Sequence, residues 1–236
     1  MKLFILFMKL NISFVVPTVD SSKTINKNIS QLEKTINSND NIKDYEIILA
    51  AQGSNDNTFE KIKNIKSKKV KKLFIKTRGK GIGITSGMKI AKFPWILMID
   101  DDIPYDVQDF IKKSEKLIKK NEIIIGSRYV KKIKHEIPFI RKVPSFCYRT
   151  LVRILFSIPQ KDIQAGIKLI KKNIFRKIHF PQGIGYVWDT ELLYDANKKK
   201  LKIAEIPMFL KQNPNKLSVR SVIPKMLKDI LKLWFK

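Results

Sequence analysis

Phe93-Pro-Trp-Ile-Leu-Met-Ile99 runs straight into Asp100-Asp101-Asp102. An apolar run with no polar interruption reads as a central strand covered on both faces. Side chains alternate along a strand. Asp100 and Asp102 are therefore expected on one side and Asp101 on the other. Two like charges at one strand end repel each other unless a cation lies between them. A hard divalent cation, Mg2+ or Mn2+, would fill that place and would also hold the phosphates of a substrate.

Outward from this strand, the chain alternates short apolar strands with helical stretches. Ile12–Val16, Tyr45–Ala51 and Val70–Ile75 precede it, and Glu122–Gly126 follows it. Leu201–Pro207 reads as an edge strand with its proline at the end. Helices are expected from Ser21 to about Ser38, from Ile84 to Ala91, from Asp109 to Lys120, from Ser145 to Ile158 and from Trp188 to Lys200. This order predicts an α/β fold with a mostly parallel central sheet and helices on both faces. Ligands of such sheets bind beyond the carboxyl ends of the strands. Pro17-Thr18, Gln52-Gly53-Ser54, Asp100–Asp102 and Ser127-Arg128-Tyr129 all fall there.

The 236 residues suit one α/β domain with a small appendage. Lys plus Arg number 48 against 21 Asp plus Glu, a formal charge of +27. Such a balance calls for an anionic partner, whether a phosphorylated substrate, an anionic membrane surface or nucleic acid. Abundant Lys, Ile and Asn also fit an AT-rich coding bias. No zinc-ligand pattern and no basic-aromatic RNA motif is present, so nucleic acid is not expected as a partner. The single cysteine, Cys147, excludes an intrachain disulfide and is expected as a small core residue. His135 and His179 show no metal-ligand spacing. No stretch reaches the roughly 20 apolar residues that span a bilayer.

At the C-terminus, Lys225, Lys228, Lys232 and Lys236 share one narrow helical arc. Val222, Ile223, Met226, Leu227, Ile230, Leu231, Leu233 and Trp234 occupy the broad opposite arc. This pattern serves a helix lying in a membrane interface, and it equally serves one docked on the protein's own core. The division adopted is a domain over 1–220 and an amphipathic membrane-interface helix over 221–236.

Nine segments, in order, carry a family resemblance. They are Val15–Thr18, Gly53–Thr58, Gly79–Gly81, Met98–Asp102, Ile125–Arg128, Asp162–Gly166, Asp189–Leu193, Glu205–Pro207 and Asn215–Leu217. With them the chain resembles family 2 glycosyltransferases of the GT-A fold, within the dolichyl-phosphate mannosyltransferase and polyprenyl-phosphate glycosyltransferase group. The resemblance implies a nucleotide-sugar donor, a polyprenyl (dolichyl) phosphate acceptor and an inverting, metal-assisted transfer. It also implies a peripheral location on the cytoplasmic face of a membrane. Pro17, Thr18, Val19 and Gln52 would border the nucleotide, with Asp101 beside them. Asp100 and Asp102 would hold the metal and the donor diphosphate. Arg128, Lys211 and Lys216 would neutralise phosphates. Arg141 and Ser145 would face the acceptor phosphate, and Asp162 and Gln164 the sugar side.

Three departures stand against that pattern. Val19, Asp20 and Ser21 replace an aromatic residue, Asn and Glu. Ala51 and Gln52 replace two acids, and an ionised acid accepting from a base edge is worth about 1.5–3 kcal/mol. Pro104 stands where a metal-contacting Gln is usual. The alternatives are a GT-A transferase with another acceptor and a catalytically silent sugar-nucleotide binder.

Overall fold

The computed structural model describes residues 9–130, 139–183, 185, 187–210 and 219–235. Seven strands form one sheet: β1 (Leu10–Thr18), β2 (Ile42–Gln52), β3 (Val70–Ile75), β4 (Trp95–Ile99), β5 (Ile123–Ser127), β6 (Ile167–Lys171) and β7 (Ile203–Pro207). Their order is β3-β2-β1-β4-β6-β5-β7. Only β6 runs against its neighbours, pairing antiparallel with β4 and with β5. The other pairings are parallel, as the alternating pattern predicts. β7 lies at the edge, so its terminal Pro207 leaves no interior ladder position empty.

The apolar run of β4 explains why the sheet is covered twice. Trp95, Leu97 and Ile99 pack into one buried cluster, with Phe14, Leu49 and Phe110. Ile96 and Met98 pack into the other, with Val15, Ile48, Ile84 and Trp188. The first layer belongs to α1 (Ile25–Asn37), α2 (Thr58–Lys63) and α4 (Val107–Ser114). The second belongs to α3 (Lys80–Ile90), α5 (Phe139–Phe156), α6 (Trp188–Lys198) and α7 (Val219–Trp234). Helix α1 shows how local pattern becomes packing. Ile25, Ile29, Leu32 and Ile36 recur at helical spacing and are buried. Each such side chain contributes about 1.5–3 kcal/mol on burial. Helix α4 starts earlier than its sequence expectation because the Asp106 side chain accepts the Asp109 N–H at 3.0 Å and caps it.

Two expectations need correction. The strand stops at Ile99, so Asp100–Asp102 lie in a turn, and strand alternation does not govern them. Cys147 is exposed rather than a core residue, because α5 turns apolar side chains outward. Phe146 and Ile154 on that helix are 62% and 73% exposed.

Helix α7 docks one side on the protein's own core and leaves other apolar side chains uncovered. Ile230 is fully buried in the second cluster, with Met226 and Leu233 packed beside it. Leu227, Leu231, Trp234 and Phe235 remain exposed. Among the described residues, no helix is long and apolar enough to cross a membrane.

Candidate active site

Parallel pairing puts the carboxyl ends of β1, β2, β3 and β4 on one rim of the sheet. Because β6 reverses twice-over, β5 and β7 end there as well, and β6 begins there. The rim is the crevice expected of an open α/β sheet, with β1 as the strand from which the order proceeds both ways.

The aspartate turn is the centre of it. The Ile103 N–H donates to the Asp100 carbonyl at 3.0 Å, closing a tight turn. Ile103 sits at φ 44°. A β-branched residue there is strained by about 1–3 kcal/mol, and strain of this kind concentrates at functional sites. The Asp100 N–H donates to the Gly166 carbonyl at 3.2 Å. A Cβ on Gly166 would lie 2.5 Å from Asp100 Oδ2, so only glycine leaves room for that carboxylate. Asn28 donates its side-chain N–H to the Asp101 carbonyl at 2.8 Å, tying the turn to α1.

The three carboxylates have different surroundings. Asp100 Oδ1 lies 2.6 Å from Lys80 Nζ. Asp101 Oδ2 accepts the Ser21 hydroxyl at 2.5 Å. Asp102 Oδ1 is buried with no hydrogen-bond partner among the described residues. Burial pushes the Asp101 carboxyl up to about 7, against the Ser21 hydrogen bond, with the Asp100 and Asp102 charges adding to it. Burial likewise pushes Asp102 up to about 6, with Asp100 adding and Lys80 opposing. An oxygen acceptor buried without a donor costs roughly 1–3 kcal/mol. Among the described residues no three His, Cys, Asp or Glu side chains gather into a metal cage, but a cation on Asp100 and Asp102 that also takes phosphate and water oxygens, as Mg2+ or Mn2+ does, would satisfy it.

A dense polar net joins the neighbouring loops. Asp20, at φ 48°, accepts the Asn55 N–H at 2.8 Å and pairs with Arg78 at 2.5 Å. Its own N–H donates to Ser54 Oγ at 3.2 Å. Arg78 also donates to the Gly53 carbonyl at 3.3 Å. The ends of β1, β2 and β3 are thereby held together by side chains. Ser21, one of the departures from the family pattern, donates its N–H to no acid but joins Thr58 Oγ1 at 2.8 Å. Gln52 is buried at the end of β2, its amide against Gly83 and its Oε1 without a partner among the described residues. Thr18 is buried beside Ala51 on the paired strand. Pro17 is buried, pairing with Ala50, while Val19 is half-buried.

Across the rim stands Arg128. Asp162 Oδ2 accepts both its main-chain N–H and its Nε–H at 2.8 Å, and Oδ1 accepts Nη2 at 2.7 Å. Nη2 also reaches the Gln164 carbonyl at 3.3 Å. Asp162 is fully buried, and the Arg128 charge holds its carboxyl below the usual range despite that burial. Its N–H is held in turn by Glu205 at 3.0 Å. The resemblance implies a sugar-side position for Asp162; in the structure both its oxygens accept hydrogen bonds from Arg128. Gln164 is half-buried beside the pair. Arg149 of α5 stacks on the Tyr129 ring, 3.7 Å from guanidinium carbon to ring centroid, joining α5 to the end of β5.

Arg141 and Ser145 are positions of α5, whose described side chains begin at Phe146. Lys211 and Lys216 lie outside the described residues. Two participants have no role in the sequence reading. Lys80 stands in the quoted Gly79-Lys-Gly81 segment, yet its pairing with Asp100 follows from packing. A Cβ on Gly81 would lie 1.8 Å from the Gly183 carbonyl oxygen, so the start of α3 is pressed against that loop. The loop is held by Glu191, which accepts the Gln182 and Gly183 N–H groups at 2.8 and 2.7 Å. Lys168, fully buried, donates to Asp189 at 2.5 Å and the Ala165 carbonyl at 2.6 Å, pinning α6 to β6.

A mostly parallel sheet of this order, with an aspartate turn at its switch point, has the architecture of the GT-A fold. The Glycosyl transferase family 2 profile matches residues 13–179, and the chain belongs to that family; it is a glycosyltransferase. It is 28% identical over 241 residues to a dolichyl-phosphate beta-glucosyltransferase of Trichomonas vaginalis, covering 94% of this chain and 72% of the relative. It is 27% identical to the dolichol-phosphate mannosyltransferase of Pyrococcus furiosus, over 84% of this chain and 56% of that protein. Mannosyl-3-phosphoglycerate synthase from Rubrobacter xylanophilus shares the fold, with a TM-score of 0.71 at 15% identity over 95% of this chain and 73% of that one. So does glucosyl-3-phosphoglycerate synthase from Mycobacterium tuberculosis, solved with Mn2+, uridine diphosphate and phosphoglyceric acid. Its TM-score is 0.67 at 14% identity, over 95% of this chain and 78% of that one.

Proposed function

We propose that this chain transfers a sugar of the glucose or mannose type from a nucleotide-sugar donor to a polyprenyl (dolichyl) phosphate. The observation that carries the reading is the pairing of two opposite charge centres on one rim. One is the strained aspartate turn with its orphaned Asp102 oxygen. The other is the Arg128 guanidinium, rigidly oriented by Asp162. The relatives named above, which act on dolichyl phosphate by their names, support the acceptor class.

A lipid monophosphate is anionic at neutral pH and attacks through its own oxygen, so no general base has to be found. That oxygen bonds to the anomeric carbon as the bond to the nucleoside diphosphate breaks, and in-line attack inverts the centre. Asp100 and Asp102 would hold Mg2+ or Mn2+, which when bound supplies charge stabilisation for the departing diphosphate. Arg128 and Arg141 would supply the cationic contacts that bring an anionic acceptor beside an anionic donor. Pro17 and Thr18 end β1 and Gln52 ends β2; with Val19 they would border the nucleotide. Lys211 and Lys216 would add to the phosphate clamp.

The acceptor is a lipid, and the surface fits one. Leu227, Leu231, Trp234 and Phe235 of α7 and Phe146 and Ile154 of α5 are exposed. A chain with 27 excess positive charges suits an anionic, cytoplasmic leaflet, where it would sit peripherally. Two measurements test the reading. Asp102→Ala should lower transfer to a polyprenyl phosphate by at least about a hundredfold, and a preserved rate refutes the assigned role. Deletion of residues 222–236 should release the protein from anionic liposomes, and unchanged co-sedimentation refutes the membrane role of α7.

A further inference from the structure

We propose that Lys80 is an exchangeable counter-ion. Its ammonium occupies the aspartate turn in the nucleotide-free protein and moves onto the donor diphosphate when a divalent cation takes its place on Asp100. The inference rests on the reading of that turn as the diphosphate site.

The geometry separates a fixed root from a movable head. Lys80 is the first residue of α3. Its backbone is held because Gly81 is pressed on the Gly183 carbonyl and α3 lies on β1 and β2. The head contacts Asp100 Oδ1 at 2.6 Å, and the two side chains are only partly covered, at 27% and 30% exposure. Both members of this pair reach solvent, whereas the acid of the other pair, Asp162, is buried at 1% exposure beside a partly exposed Arg128. A lysine ammonium is a compact point charge on a flexible stem with three donors, and it can change partners without moving the backbone.

Charge balance gives the direction of exchange. Three carboxylates follow one another in this turn, and Lys80 Nζ lies 2.6 Å from the first of them. In the nucleotide-free protein it offsets their mutual repulsion. A divalent cation on Asp100 and Asp102 would be repelled by an ammonium a few ångströms away. The diphosphate that arrives with the cation is negative and reaches the start of α3, where helix N–H groups already favour anions. The ammonium released from Asp100 has its new partner within the length of its own side chain.

This arrangement makes an uncommon prediction: removing a cation from the site should improve cation binding. Mn2+ titrations followed by electron paramagnetic resonance, without nucleotide, would compare the wild type with Lys80→Met and Lys80→Arg. Lys80→Met should bind Mn2+ about tenfold more tightly, and Lys80→Arg should stay within about threefold of wild type. With Mn2+ saturating, binding of UDP and GDP by calorimetry should weaken about tenfold in Lys80→Met for whichever nucleotide the wild type takes. A position this exposed should leave thermal unfolding of both variants near that of the wild type. Unchanged or weaker Mn2+ binding by Lys80→Met overturns the exchange while leaving the metal site intact. Failure of all three proteins to bind Mn2+ overturns the metal reading of the turn, and the exchange with it.

Discussion

Two ion pairs face each other across the rim, and they are built for opposite purposes. Arg128 and Asp162 form a closed unit: the carboxylate is fully buried and takes three N–H donors from one residue. Lys80 and Asp100 meet at 2.6 Å, with side chains 27% and 30% exposed. Once paired inside the protein, a charge is expensive to uncouple. A charge at a wet rim exchanges partners cheaply. The difference teaches where rigidity and exchange belong in a transfer site. A fixed ion pair stands on the β5 side, and an exchangeable one on the side of the acidic turn.

The sharpest way to break this comparison is to delete one acid from each pair. Asp162→Ala leaves the Arg128 charge buried without its partner and should lower unfolding free energy by about 3–5 kcal/mol in urea melts. Asp100→Ala should cost about 1 kcal/mol or less, since both partners keep access to water and the loss relieves repulsion within the turn. Equal losses in the two variants would erase the distinction. Acid titration sharpens it further. The Asp162 carboxyl is depressed in the folded state. Its contribution is therefore complete above the unfolded value of about 3.9 and is lost as pH falls through that value toward the folded one. Circular dichroism between pH 5 and 2 should show a shallower loss of stability in Asp162→Asn than in wild type.

Gly166 offers a smaller perturbation between the two pairs. A methyl group there would meet Asp100 Oδ2 at 2.5 Å and the Tyr105 ring at 3.2 Å. Gly166→Ala should fold, with a loss of about 1–3 kcal/mol from overpacking. Its Mn2+ affinity should fall as Asp100 is displaced, while a variant that binds Mn2+ as wild type does would show that the turn yields without cost.

How much of this was legible beforehand follows from the range of the interactions. The uninterrupted run from Phe93 to Ile99 announced a strand buried on both faces, and β4 is that strand. The loops at Pro17, Gln52 and Asp100 were placed on one rim because parallel topology needs only strand order. What escaped depends on contacts between distant segments. Asp162 comes 34 residues after Arg128, and its capture of that guanidinium needs β6 to return antiparallel beside β5. Lys80 stands in the quoted Gly79–Gly81 segment, and its pairing with Asp100 appears only once folding brings the start of α3 to the aspartate turn. The alternation drawn through Asp102 failed for a local reason: the chain leaves extended geometry after Ile99 and closes a turn with Ile103 in the left-handed region. Cys147 was misplaced because apolar neighbours on α5 signal burial only where another element covers them.

The mildest test concerns a pair with no part in the site. Lys69 meets Asp44 at 2.6 Å on the far side of β2, with side chains 47% and 39% exposed. The hydrogen bond and charge of Lys69 lower the Asp44 carboxyl in the same way that Arg128 lowers Asp162. The direction of the shift is shared, and the surroundings are not. Water and salt screen the exposed pair, and both side chains lose freedom in forming it. Lys69→Met should therefore change unfolding free energy by no more than about 1 kcal/mol, with the difference vanishing in about 1 M salt. Should this variant lose as much as Asp162→Ala, then burial is not what separates the fixed pair from the exchangeable ones, and the contrast across the rim would need another cause.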